Sequence, residues 1–171
     1  MPFVPFATQF PELARQETRS ILNFEEGVQT CAHLFMEMFC DEPGCDCRRV
    51  FVQVMSDQPG VTQPRATISW GWEPPSFYRT WAKFPLDAAD LDELRGPALV
   101  RLTPQSEEAP ELLEQFRVLV KDEAYASRVI RHYAMFRDRI ELAGRTDDGS
   151  VKPGMNRAER RRLAKESGRR G

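Results

Sequence analysis

The chain reads as an α+β protein, a small antiparallel meander of about four strands followed and covered by helices. Two patterns predict this. Between residues 17 and 72, apolar side chains recur at every second position in runs broken by turn residues, as in RVFVQVMS, where Val50, Val52 and Val54 share one face. Beyond residue 75 they recur at intervals of three and four, most clearly at Tyr125, Val129, His132, Phe136 and Ile140, which is one face of a helix. Strands first and helices afterwards argue for segregated layers rather than alternating β–α units.

A proline-led opening with room for a helical turn precedes the first predicted strand, residues 17–24, and residues 25–27 turn the chain. Residues 31–39 alternate, with Ala32, Leu34, Met36 and Met38 on one face and His33, Phe35, Glu37 and Phe39 on the other. Their Ala, Leu, Met and Glu content also suits a helix, so composition and alternation compete there. Residues 49–56 form the clearest strand, residues 57–64 turn around Pro59-Gly60, and residues 66–72 supply a fourth strand. Pro75 suits the first position of a helix over 75–83. A short helix over 86–94 and an extended stretch over 98–102 follow. The two longest helices are expected at 108–119 and 123–142, with Gly144 ending the second. Residues 145–155, RTDDGSVKPGM, read as a linker, which divides the chain into a single domain over 1–144 and a tail over 145–171.

Length and charge bound the function. At 171 residues the chain is long enough for one domain with a core of its own. The net charge of −2 conceals an asymmetry: residues 153–171 hold seven basic residues against Glu159 and Glu166, so residues 1–152 carry −7. An acidic body opposes nucleic acid, while the tail invites it. No run approaches the roughly 18 apolar residues of a membrane span, and MPFVPFATQF lacks the basic start of a signal peptide. The expected compartment is the cytoplasm, where thiols stay reduced.

The sharpest chemical signal is Cys40-Asp-Glu-Pro-Gly-Cys45-Asp-Cys47-Arg-Arg, three thiols about a Pro-Gly turn between two predicted strands. Paired strand ends arrive side by side, so such a turn can aim three sulfurs at one zinc ion. Arg48 and Arg49 follow directly, and positive charge favours the thiolate. A disulfide between Cys40 and Cys47 and a set of redox-active thiols are the competing readings. For a fourth ligand His132, Cys31, His33, Asp41 and Asp46 compete. His132 is favoured for its place on the apolar face of the last helix, a place that equally suits a hydrogen-bonded core histidine. Cys31 stands roughly 30 Å from Cys40 if the intervening residues are extended.

Two further segments carry weight. Residues 70–81 hold all three tryptophans, with Phe77, Tyr78 and Arg79, and read as a core corner before they read as a binding groove. In the tail, Asn156 and Glu159 have capping-box spacing ahead of an arginine-rich helix. Arg157, Arg160, Arg161, Arg162 and Lys165 are its candidate contacts to RNA phosphates or an acidic protein surface.

The combination ETRSI, FCDEPGCDCRRVFVQV, ATISWGWEPPSFYRTW and RHYAMF resembles a bacterial protein family with a Cys-Asp-x-Pro-x-Cys-Asp-Cys-Arg-Arg core and a Gly-Trp-Glu strand end. The resemblance covers residues 17–136 and implies that Cys40, Cys45, Cys47 and His132 form the site, with Cys31 and His33 incidental. It implies no reaction. The expected function is a binding module built on one structural zinc ion, with RNA, a ribosomal surface or a protein as partner. A thiol-based redox or metal sensor is the alternative, and a metalloenzyme, which needs an exchangeable water on the metal, the second alternative.

Overall fold

The longest strand organises the sheet. In a computed structural model that describes residues 3–144, β3 (Val28–Cys40) pairs along one edge with β4 (Arg49–Ser56). Its other edge takes two short partners end to end. β2 (Arg19–Glu25) pairs with its first half, and β1 (Phe3–Pro5) with its last three residues, in the register Phe3 opposite Cys40. β5 (Ala66–Gly71) pairs with β4, and β6 (Ala98–Leu99) with β5, all antiparallel. Where β2 turns into β3, Glu26 and Gly27 both have positive φ, 50° and 81°, as a two-residue hairpin requires.

The architecture is the expected α+β one, with six strands in place of about four. β1 is new, and β6 is the part of the extended stretch expected over 98–102 that pairs; they are three and two residues long. Sequences so short, one of them ending in proline, carry no period of their own and become strands because β3 and β5 offer unpaired edges. Residues 28–40 resolve as strand despite their helix-forming composition, because both edges of β3 are paired and its alternate side chains meet the core. Between β1 and β2 the chain makes a 3-10 turn and α1 (Pro11–Glu17), which takes Glu17 out of the expected strand.

One face of the sheet is the core face. Phe35 and Phe39 of β3, Val50, Val52 and Val54 of β4, and Ala66, Ile68 and Trp70 of β5 are all buried on it. Leu112, Leu113 and Phe116 of α4 (Ala109–Leu119) cover it, with Tyr125, Val129, Tyr133 and Phe136 of α5 (Glu123–Gly144). Burying each such side chain contributes about 1.5–3 kcal/mol before chain entropy is set against it. α2 (Pro75–Trp81) and α3 (Ala88–Arg95) close the end of β5 around Tyr78, Leu91 and Leu94. Gly71 permits that closure: a Cβ there would lie 2.1 Å from Tyr78 Oη and 2.6 Å from the Leu94 carbonyl oxygen. Trp70 is buried, and Trp72 lies edge-on to both Trp70 and Tyr133, so the tryptophan stretch packs as core. The linker and basic tail assigned to 145–171, with Arg157, Arg160, Arg161, Arg162 and Lys165, lie outside the described residues. Among the described residues no helix is long and apolar enough to cross a membrane.

Candidate metal centre

The sulfurs of Cys40, Cys45 and Cys47 all lie within 4.8 Å of one another. Cys40 ends β3, Cys47 stands just before Arg48 and β4, and the turn between them is set by its residue types. The Cys45 amide donates to the Glu42 carbonyl at 3.2 Å, with Pro43 second and Gly44 third at φ 72°. That is a type II turn, which asks for proline and a left-handed residue at those positions. Arg48, at φ 44°, turns the chain into β4. Cys40 and Cys47 are fully buried and Cys45 half-buried.

α5 holds this loop from one side. The Tyr133 hydroxyl accepts from the Arg48 amide at 3.2 Å and donates to Asp46 Oδ1 at 3.3 Å. Arg137 donates to the carbonyls of Cys40 at 3.2 Å and Glu42 at 3.0 Å. Glu141 accepts from the Gly44 amide at 2.7 Å. These three, at i, i+4 and i+8, form a polar stripe beside the apolar one. Sequence reasoning missed them, although the four-residue spacing was there to be read.

The charges differ from expectation. Arg48 pairs with Glu73 at 2.9 Å and with Asp46, and stacks on Phe77. Arg49 lies over the rings of Phe3, Phe51 and Trp81. The expectation that both arginines stabilise the thiolates is therefore corrected: the cation facing Cys40 and Cys45 is Arg137. Hydrogen bonds from Cys45, then Cys47, hold the Cys40 thiol far below the ordinary thiol range. The same bonds to Cys40 push Cys45 and Cys47 up, and burial adds to both. The cluster thus favours one thiolate that accepts from two thiols.

Such a donor set fits a soft, thiophilic cation. Sulfurs about 2.3 Å from a tetrahedral zinc ion stand about 3.8 Å apart, and the observed convergence needs little adjustment to reach that. Three cysteines close together can hold a metal ion. No disulfide forms among the described residues.

His132 does not join the sulfurs among the described residues. Its Nδ1 lies 2.6 Å from Glu37 Oε2 and its Nε2 2.9 Å from Glu17 Oε2, with the ring stacked on Phe6. Both nitrogens are engaged, and the reason is placement. Glu37 lies three residues before Cys40 on β3, which carries its partner on α5 about 10 Å down the strand from the sulfurs. Cys31 and His33 sit towards the other end of β3, where Asn23 Nδ2 is 3.4 Å from Cys31 Sγ and 3.1 Å from His33 Nδ1.

No family model matches the chain, and no curated protein and no solved structure matches it. The resemblance read from the cysteine core stands on those residues alone.

Proposed function

We propose that the protein is a binding module whose cysteine loop is locked by one structural zinc ion and whose basic tail engages RNA or a ribosomal surface. The observation that carries this is the convergence of Cys40, Cys45 and Cys47 within 4.8 Å at a loop tied to α5 by Tyr133, Arg137 and Glu141. Zinc bound there would supply cross-linking of the loop, since binding to a site that exists only in the folded chain adds to folding free energy. The chain's own residues do the rest. Arg137 fixes the carbonyls on either side of Asp41, and Tyr133 holds the backbone after Cys47. A cytoplasmic setting, where thiols stay reduced, suits such a centre. The tail supports the partner, because its five candidate contacts suit a polyphosphate backbone.

Metal content measured by mass spectrometry on protein purified without added metal, beside Cys45→Ser, tests the centre. About one zinc per chain, lost in the variant together with the folded state, is expected; a folded, metal-free wild type sinks it. Salt-sensitive RNA binding that disappears on removing residues 153–171 tests the partner. A second reading, a thiol-based sensor, is favoured by the half-buried position of Cys45 between two fully buried cysteines. Reversible metal release by mild peroxide would support it, and metal retention would count against it.

A further inference from the structure

Cys40 and Cys47 are fully buried and Cys45 half-buried, and no fourth donor joins the three sulfurs within 4.8 Å among the described residues. A zinc ion in a structural site takes four ligands. The chain's own inventory limits where the fourth comes from.

The whole chain holds four cysteines and two histidines, so only Cys31, His33 and His132 stand outside the cluster. Each has a place elsewhere. Cys31 and His33 lie back along the extended β3, roughly 30 and 23 Å from Cys40, where Asn23 reaches both. His132 has a carboxylate at each ring nitrogen. Of the two aspartates in the loop, Asp46 accepts from Arg48 through both oxygens and from the Tyr133 hydroxyl. Asp41 follows Cys40 directly, but Arg137 ties down the carbonyls on either side of it. That leaves its backbone little freedom to swing the carboxylate inward, and it stays outside the 4.8 Å cluster. Cysteine and histidine ligands from this chain therefore stop at three.

The approach to the sulfurs is one-sided. The core closes off Cys40 and Cys47, whereas Glu42, Pro43 and Gly44 are exposed and a Cβ at Gly44 would meet nothing within 4 Å. A ligand from solution arrives past Cys45, and the half-burial there admits a small one. We propose that a metal ion at this centre takes its fourth ligand from outside the chain, as the sulfur of a small thiol bound beside Cys45. The inference rests on the metal reading above and adds a ligand to that site. Softness decides the ligand class: three thiolates select a thiophilic ion, which prefers a further sulfur to an oxygen or nitrogen donor. A fourth sulfur also completes the four-sulfur tetrahedron of closed zinc sites. The thiol sheds its proton to solvent as its sulfur gives an electron pair to the metal, and the three chain sulfurs stay in place.

The test is X-ray absorption at the zinc edge on the full-length chain, kept reduced with a phosphine, before and after adding 2-mercaptoethanol. About three sulfurs and one lighter atom are expected around zinc without the thiol and about four sulfurs with it, zinc remaining bound throughout. The cobalt(II) form, titrated in parallel, is expected to change its visible spectrum saturably with the thiol, and at least about tenfold more weakly with acetate or imidazole. Asp41→Asn is expected to leave both readouts as they are in the wild type. A sulfur count that the thiol does not move overturns the proposal, and so does a count of four before any thiol is added. An Asp41→Asn spectrum that differs from wild type, or acetate or imidazole binding as tightly as the thiol, does the same. All of these leave the metal in place and so spare the zinc reading. Protein that takes up neither zinc nor cobalt overturns both.

Discussion

Nδ1 of His132 lies 2.6 Å from Oε2 of Glu37, with both residues buried. The second ring nitrogen faces Glu17 at 2.9 Å. Arg131 Nη2 also reaches this group, donating to Glu17 and standing 3.4 Å from His132 Nε2, so the ring sits among two carboxylates and a guanidinium. The cluster joins α5 to β3 and α1 at a point remote from the sulfurs. His132→Ala removes the hydrogen-bond partner of the buried Glu37 carboxylate and is expected to cost about 3 kcal/mol, read from the urea midpoint. Metal content should not change; its loss would show that His132 serves the cysteine centre.

Metal binding at the three cysteines should be coupled to pH. Cys45 and Cys47 are both pushed up by hydrogen bonding to Cys40, so each must give up a proton to become a ligand. With two protons released per ion, zinc affinity is expected to fall about 100-fold for each unit of acidification near neutrality. Chelator competition at two pH values measures this, and an affinity independent of pH would mean that the thiolates exist beforehand.

The stripe on α5 should tune the centre without building it. Tyr133→Phe removes the acceptor of the Arg48 amide, and Arg137→Ala removes the donor to the carbonyls of Cys40 and Glu42. Each is expected to weaken zinc about 10- to 100-fold while far-ultraviolet circular dichroism stays unchanged. Wild-type affinity in both variants would show that the loop is set by its own turn.

Gly71→Ala should be poorly tolerated. The added Cβ meets Tyr78 Oη at 2.1 Å and a backbone oxygen of Leu94 at 2.6 Å, in a region where Tyr78 is fully buried. A cost of about 2–3 kcal/mol in thermal or urea unfolding is expected. Tyr78→Phe should relieve only part of it, because the Leu94 carbonyl remains.

The Arg65 guanidinium beside Glu108 holds that carboxyl below its usual range. A depressed folded-state value means the pair contributes stability above the unfolded carboxyl's range and loses it as pH falls through the folded one. Glu108 is 44% exposed, so solvent screening limits the effect to about 0.5 kcal/mol. Glu108→Gln should remove that acid-dependent increment in urea midpoints compared between neutral and mildly acidic pH.

Much of the molecule was legible in the chain as written. Alternation in RVFVQVMS and the stripe from Tyr125 to Phe136 are local periods that report which side chains face the core, and the structure buries them there. The three clustered cysteines and the Pro43-Gly44 turn were legible for the same reason, since ligand convergence within a short loop depends on residues close together in sequence. The strand over residues 28–40 was half legible: alternation and composition disagreed, and pairing on two edges settled it.

What required the folded chain was every contact between distant segments. β1 and β6 are strands because β3 and β5 leave edges for them, a property of the sheet and not of FVP or AL. The partners of His132 come from residues 95 and 115 positions away, so helix periodicity placed the ring inward without saying what it would meet. Tyr133, Arg137 and Glu141 reach the cysteine loop for a like reason. Local sequence sets period and turn type through backbone sterics, whereas long-range pairing selects among the partners those periods present.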